Sequence, residues 1–127
     1  MRRSEQRRAA VVALYQADVT DRTARDLLDP SATTFTRELV QGTQHWRDEL
    51  DSLIEQHAVG WTLDRIDPLE RNLMRVALFE LLHRPDVPAE VAIDEAVEAA
   101  KELCGAEAPG FVNGILGAVV REKLGSA

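Results

Sequence analysis

Apolar residues recur along this chain at intervals of three, four and seven, and no alternation of apolar and polar positions lasts long enough to predict a strand, so the pattern predicts an all-α fold. Val11, Leu14 and Tyr15 form a stripe on a first helix from about Ser4 to Asp18. A short second helix around Thr23 to Leu28 is closed by Asp29 and Pro30, because the residue before a proline avoids helical angles. Phe35, Leu39, Trp46, Leu50, Leu53 and His57 predict one long third helix. It runs through Gly42, which costs about 1 kcal/mol relative to alanine in a helix interior and so predicts a close neighbour there. A break follows at Val59 and Gly60, with Trp61 as an anchor and a short helical turn through Leu63 and Ile66.

The segment DPLERNLMRVALFELLHR carries the clearest start signal: Asp67 caps, Pro68 takes the first helical position and Glu70 falls three residues after the cap. From Leu73 to Leu82 this fifth helix is apolar around most of its circumference, which predicts a central position. Glu80 projects onto the stripe of Leu69, Leu73 and Val76, so a buried carboxylate paired with a neighbour such as Arg84 is expected. Ile93, Ala96, Val97, Ala100 and Leu103 stripe a sixth helix, which Gly105 is placed to end in a left-handed conformation. Phe111, Ile115, Ala118 and Val119 stripe a seventh. The expectation is about seven helices in a compact bundle and a single domain over 1–127, with an N-terminal half of about 1–59 and a C-terminal half of about 60–127.

Charge changes the picture at one end. The formal net charge is −7, yet residues 1–17 hold four arginines and one glutamate, a local balance of +3 that leaves −10 for the rest. Such asymmetry directs an anionic ligand to one spot. At about 100° per residue, Arg3 and Arg7 share a face with Val11 and Leu14, so a core stripe becomes charged at its start. Burying unpaired guanidinium groups would cost several kcal/mol each, so these turns must pass beyond the bundle or meet an anion. A phosphate backbone is one such anion, because arginine binds phosphate bidentately and stacks on unpaired bases. A loose, solvated terminus is the other reading.

Little else points to chemistry. His45 and Glu49 have i,i+4 spacing without a third ligand nearby, and His57 and His83 stand apart from them, so solvated or core-edge histidines are expected. Cys104 is alone, which excludes an intrachain disulfide, and the sequence nominates no base beside it. There is no glycine-rich phosphate loop and no serine elbow. No cofactor, metal site or catalytic residue is expected. Neither a secretory signal nor a membrane-spanning run is present, which makes the cytoplasm the expected location.

Four ordered blocks then carry a resemblance: ALYQ after the arginine-bearing start, FTRELVQG, ERNLMRVALFELLHRPDVPAEVAIDEAVEAAK, and FVNGIL. Together they resemble the NusB family of bacterial transcription antitermination factors, from Arg3 to about Arg121. The resemblance implies seven helices in two packed halves and no enzymatic activity. It implies pairing with NusE, a small-subunit ribosomal protein, and binding of single-stranded boxA RNA in ribosomal RNA leaders, within an antitermination complex on RNA polymerase. By the same resemblance Arg2, Arg3 and Arg7 belong to a basic RNA contact, Arg75 to a second one, and Phe111 and Asn113 to a surface that presents an aromatic ring to a base. Phe111 also lies on the apolar stripe, which leaves a core role equally open. Glu70 matches an acidic position toward NusE, with Asp64 beside it, and Glu70 can also complete the cap at Asp67.

Where relatives read GGEDSPKFVNG or similar, this chain reads CGAEAPGFVNG, without one acidic residue and the lysine before the phenylalanine. That change implies weaker RNA binding, or a heavier dependence on the N-terminal arginines and NusE. Two other readings compete: a homodimeric protein scaffold, and a module of the kind that precedes the catalytic domain of an rRNA cytosine methyltransferase. The sequence ending at REKLGSA leaves no room for that catalytic domain and favours the free-standing factor.

Overall fold

In the computed structural model, which describes residues 1–125, the chain forms seven α-helices and no strand among the described residues. They are α1 (Arg3–Val19), α2 (Ala24–Leu27), α3 (Thr34–His45), α4 (Arg47–His57), α5 (Pro68–His83), α6 (Ala89–Leu103) and α7 (Ala108–Lys123), with a 3-10 turn at Leu63–Arg65. The helix starts follow local chemistry. Thr23, Thr33 and Asp67 each accept a hydrogen bond from a backbone N–H two or three residues on, satisfying donors that a helix leaves free. Pro68 stands at the start of α5, where its missing N–H costs nothing.

Helix α5 occupies the centre, as its apolar circumference predicts. Every residue from Asn72 to Leu81 is buried, and α1, α3, α4, α6 and α7 all pack against it. Leu39, Leu50, Ile54, Met74, Leu78, Ala100, Val112, Leu116 and Val119 are fully enclosed, and the buried side chains of all these helices form one continuous cluster.

The predicted long third helix is two helices. The chain leaves helical geometry for one residue at Trp46 (φ −98°, ψ 14°), so that α3 packs on α1 and α5 while α4 packs on α5 and α7. Leu39 and Trp46 are a heptad apart and keep the apolar spacing in phase across the break, which is why periodicity hides it. Trp46 itself is exposed, stacked on the His83 ring at 4.1 Å and 10°. The expected left-handed cap at Gly105 is not formed. Helix α6 ends with Cys104 in extended geometry, and the described glycines with positive φ are Gly60 (84°), after α4, and Gly125 (69°), after α7.

Gly42 has the expected close neighbour. A Cβ built there would stand 2.0 Å from Cζ of Phe79, a buried ring of α5. Gly42→Ala should therefore destabilise the fold by about 1–3 kcal/mol despite alanine's better helix propensity, since the overpacked ring must move. Urea denaturation measures this, and an unchanged or higher midpoint would contradict the packing described.

Candidate nucleic-acid and partner interface

The four N-terminal arginines do not form one open cationic crown. Arg2 and Arg3 are exposed. Arg2 pairs with Glu5 at 3.2 Å, a solvent-exposed i,i+3 contact of little energetic weight. Arg3 carries its guanidinium 4.2 Å above the centre of the Phe35 ring, a cation–π contact that holds the charge near the surface. Among the described residues no carboxylate pairs with Arg3.

Arg7 and Arg8 turn inward. Arg7 is buried and donates from Nε and Nη2 to both oxygens of Glu80, at 2.8, 3.1 and 2.9 Å. Arg8 Nε lies 3.2 Å from a Glu102 oxygen. Arg7, expected at an RNA contact, thus has the Nε–Nη2 edge of its guanidinium filled by a bidentate internal carboxylate. Glu80 is buried as expected, but its partner is Arg7 rather than Arg84, which instead binds Glu38 and Asp86.

Arg75, expected at a second RNA contact, is likewise engaged within the fold. The structure buries it to 2% exposure. It donates to both oxygens of Asp51 at 2.6 and 3.0 Å, to Asp18 at 3.2 Å and to the Asn72 side-chain oxygen at 3.0 Å. Asp18 also accepts from Arg71 and from Asn72. Burial pushes the Asp18 carboxyl up, but the hydrogen bonds from Arg71 and Asn72 and the charges of Arg71 and Arg75 outweigh it and hold its pKa below the ordinary value.

Phe111, Glu70 and Trp61 come together in a groove of about 260 Å³, which Arg65, Asp67 and Glu107 also line. The rings of Trp61 and Phe111 meet edge to face at 6.3 Å, and Trp61 is half exposed. Asn113 is exposed on α7, one helical position beyond the buried Val112. Burial and the neighbouring charge of Asp67 raise the Glu70 pKa. At the Asp67 cap the side chain accepts from the Leu69 N–H, so Glu70 serves the groove rather than a completed capping box. Asp64 is exposed, and a hydrogen bond from Thr62 holds its carboxyl below the ordinary range. The residues expected to meet RNA therefore lie in separate places. Arg2 and Arg3 open α1 near the level of Glu80, whereas Phe111 lies beside Glu70, ten residues or about 15 Å back along α5.

Sequence reasoning took Phe35 and Trp61 only as core and anchor residues. The signal for Phe35 is a ring two residues after the helix cap at Thr33, and nothing local announces which cation covers it. Cys104 is half-buried, and burial together with the charges of Glu70 and Asp67 pushes its pKa up to about 11, so it stays a protonated thiol at neutral pH. Glu49 makes its short contact, 2.7 Å, with Nε2 of His83 on α5 rather than with His45. No described helix is long and apolar enough to cross a membrane.

The NusB family model matches residues 4–121. The transcription antitermination protein NusB of Myxococcus xanthus is 43% identical over 123 residues, covering 87% of this chain and 88% of the relative. Among solved structures, T. maritima NusB superposes with a TM-score of 0.86 at 32% identity, over 96% of this chain and 92% of that one. A chain in the crystal structure of the antitermination factors NusB and NusE in complex with dsRNA superposes with a TM-score of 0.82 at 25% identity, over 96% and 99% of the two chains.

Proposed function

This chain belongs to the NusB family of transcription antitermination proteins, which are not enzymes, and from that premise we propose that it is an RNA-binding antitermination factor acting as a heterodimer with NusE. Its RNA is the boxA element of ribosomal RNA leaders, and its wider setting is the cytoplasmic antitermination complex on RNA polymerase. The observation that carries this reading is the near full-length likeness to a NusB chain solved with NusE and RNA.

Arg2 and Arg3 supply the open positive charge, and Phe111 offers a ring for a base, with Asn113 beside it on the exposed side of α7. Glu70 and Asp64 present negative charge toward a basic partner. Three carboxylates against one arginine surround the Phe111 groove, so RNA phosphates are repelled there unless NusE covers that acidity. Binding is therefore expected to be weak for the chain alone and much tighter with NusE.

A titration of labelled leader RNA, with and without NusE, tests this. Replacing Arg2 and Arg3 by alanine should weaken binding, and the slope of log K against log salt should fall by about 1 for each phosphate that is no longer neutralised. Unchanged affinity and slope would remove α1 from the RNA surface, and indifference to NusE would overturn the heterodimer.

A further inference from the structure

The Phe35 ring is the common neighbour of three guanidinium groups, whose carbons stand 4.2 Å (Arg3), 5.3 Å (Arg84) and 5.4 Å (Arg7) from its centre. It comes from the first turn of α3, keeps 7% exposure and belongs to the continuous core cluster, so packing fixes it in place. The faces of such a ring carry partial negative charge and attract a cation.

Two of the three cations are accounted for within the fold. Arg7 is bound by Glu80, and Arg84 by Glu38 and Asp86, so neither owes its position to the ring alone. Arg3 has no such tie. It is exposed, and Asp86, which feels its charge, accepts its hydrogen bonds from Arg84 instead. Arg3 is also the first residue of α1, where the helix dipole disfavours a cation and no side chain caps the free N–H groups. Local electrostatics therefore turns Arg3 away from the helix start, and the Phe35 ring is the contact that holds it there.

We propose that Phe35 is a positioning residue for RNA: it holds the Arg3 guanidinium over one ring face and leaves the outer side of that guanidinium to stack on an unpaired base. The inference rests on the RNA-binding reading above and adds to it the way in which Arg3 acts. A phosphate needs only the charge, which a lysine would supply equally, whereas a supported plane serves a base. Phe35 itself touches no nucleotide and acts through Arg3. Holding the long side chain beforehand removes part of its ordering cost from the binding step.

Titration of labelled leader RNA against the complex with NusE tests this, with single abasic nucleotides placed along the RNA in turn. In the native complex, loss of the base that meets Arg3 should weaken binding about fivefold or more. Arg3→Lys, an exposed change that keeps the fold and the charge, should lose that sensitivity while its salt dependence stays native. Fluorinated phenylalanines at position 35 draw charge from the ring faces with little change of shape. They should weaken binding stepwise, to a limit of about two- to fivefold set by the worth of an exposed cation–π contact. In an Arg3→Ala background the same fluorination should change nothing, because the two residues act as one unit. Fluorination without effect on the native complex, or with an equal effect in the Arg3→Ala background, would reduce Phe35 to a core residue. An Arg3→Lys complex with the native abasic profile would overturn the stacked base and make Arg3 a point charge on phosphate. A native complex that binds no leader RNA would refute the RNA-binding reading itself, and this inference with it.

Discussion

Glu80→Leu is expected to lower the stability of this protein by about 3–5 kcal/mol, because it leaves the Arg7 guanidinium buried without its counter-charge. The side chains of Arg7 and Glu80 retain 11% and 2% of their exposure, so water cannot replace the missing carboxylate without opening the packing between α1 and α5. Glu95 does not substitute, since it stands 3.9 Å from Arg7 Nη1 and is itself held by the Ser4 hydroxyl. Urea denaturation and a fall in Tm of roughly 10–20 °C are the readouts. The double variant Arg7→Met/Glu80→Leu should recover most of that stability, because both charges then leave the interior together. A single variant as stable as the native protein would mean that Arg7 points to solvent and does not depend on Glu80.

Arg75→Met should cost about 2–4 kcal/mol, somewhat less. Asp18 keeps Arg71 and Asn72, and Asp51 keeps Arg47 at 3.6 Å, so neither carboxylate is wholly abandoned. The substitution also changes the response to acid. The Asp18 pKa is lowered on folding, so its contribution is present above the ordinary carboxylate range and is lost as pH falls through the lowered folded value. Without Arg75 the folded value moves back up, and the acid limb of stability should shift to higher pH. Denaturation midpoints measured between neutral and acidic pH test this, and an unshifted limb would show that Arg71 and Asn72 alone set the Asp18 equilibrium.

The sequence made some of this structure legible and left other parts hidden. Helix α5 could be read almost whole, since a proline after a capping aspartate and a ring of apolar positions are local signals. The close neighbour of Gly42 was readable for the same reason, although its identity, Phe79 of another helix, was not. Placing Arg3 and Arg7 on a core-facing stripe led to the right alternatives, passage beyond the bundle or an anion. Each arginine took a different one: Arg3 stays at the surface over Phe35, and Arg7 meets an anion that belongs to the chain itself. That anion lies 73 residues away, and the i,i+4 neighbour Arg84 was the nearer candidate along the helix. Pairings across such separations leave no periodic trace, which is also why nothing in the sequence announces that Arg75 pairs with Asp18 and Asp51 of other helices.

The bond between Arg7 and Glu80 also bears on the order of events during synthesis. The first helix to leave the ribosome lacks its counter-ion until the centre of α5 has been translated, and the Ser4 partner, Glu95, comes later still. Until then the face bearing Val11 and Leu14 has no α5 to cover it. Docking of the N-terminal helix onto α5 is therefore a late, non-local step, and nascent chains stalled before residue 80 should present its α5-facing side to chaperones.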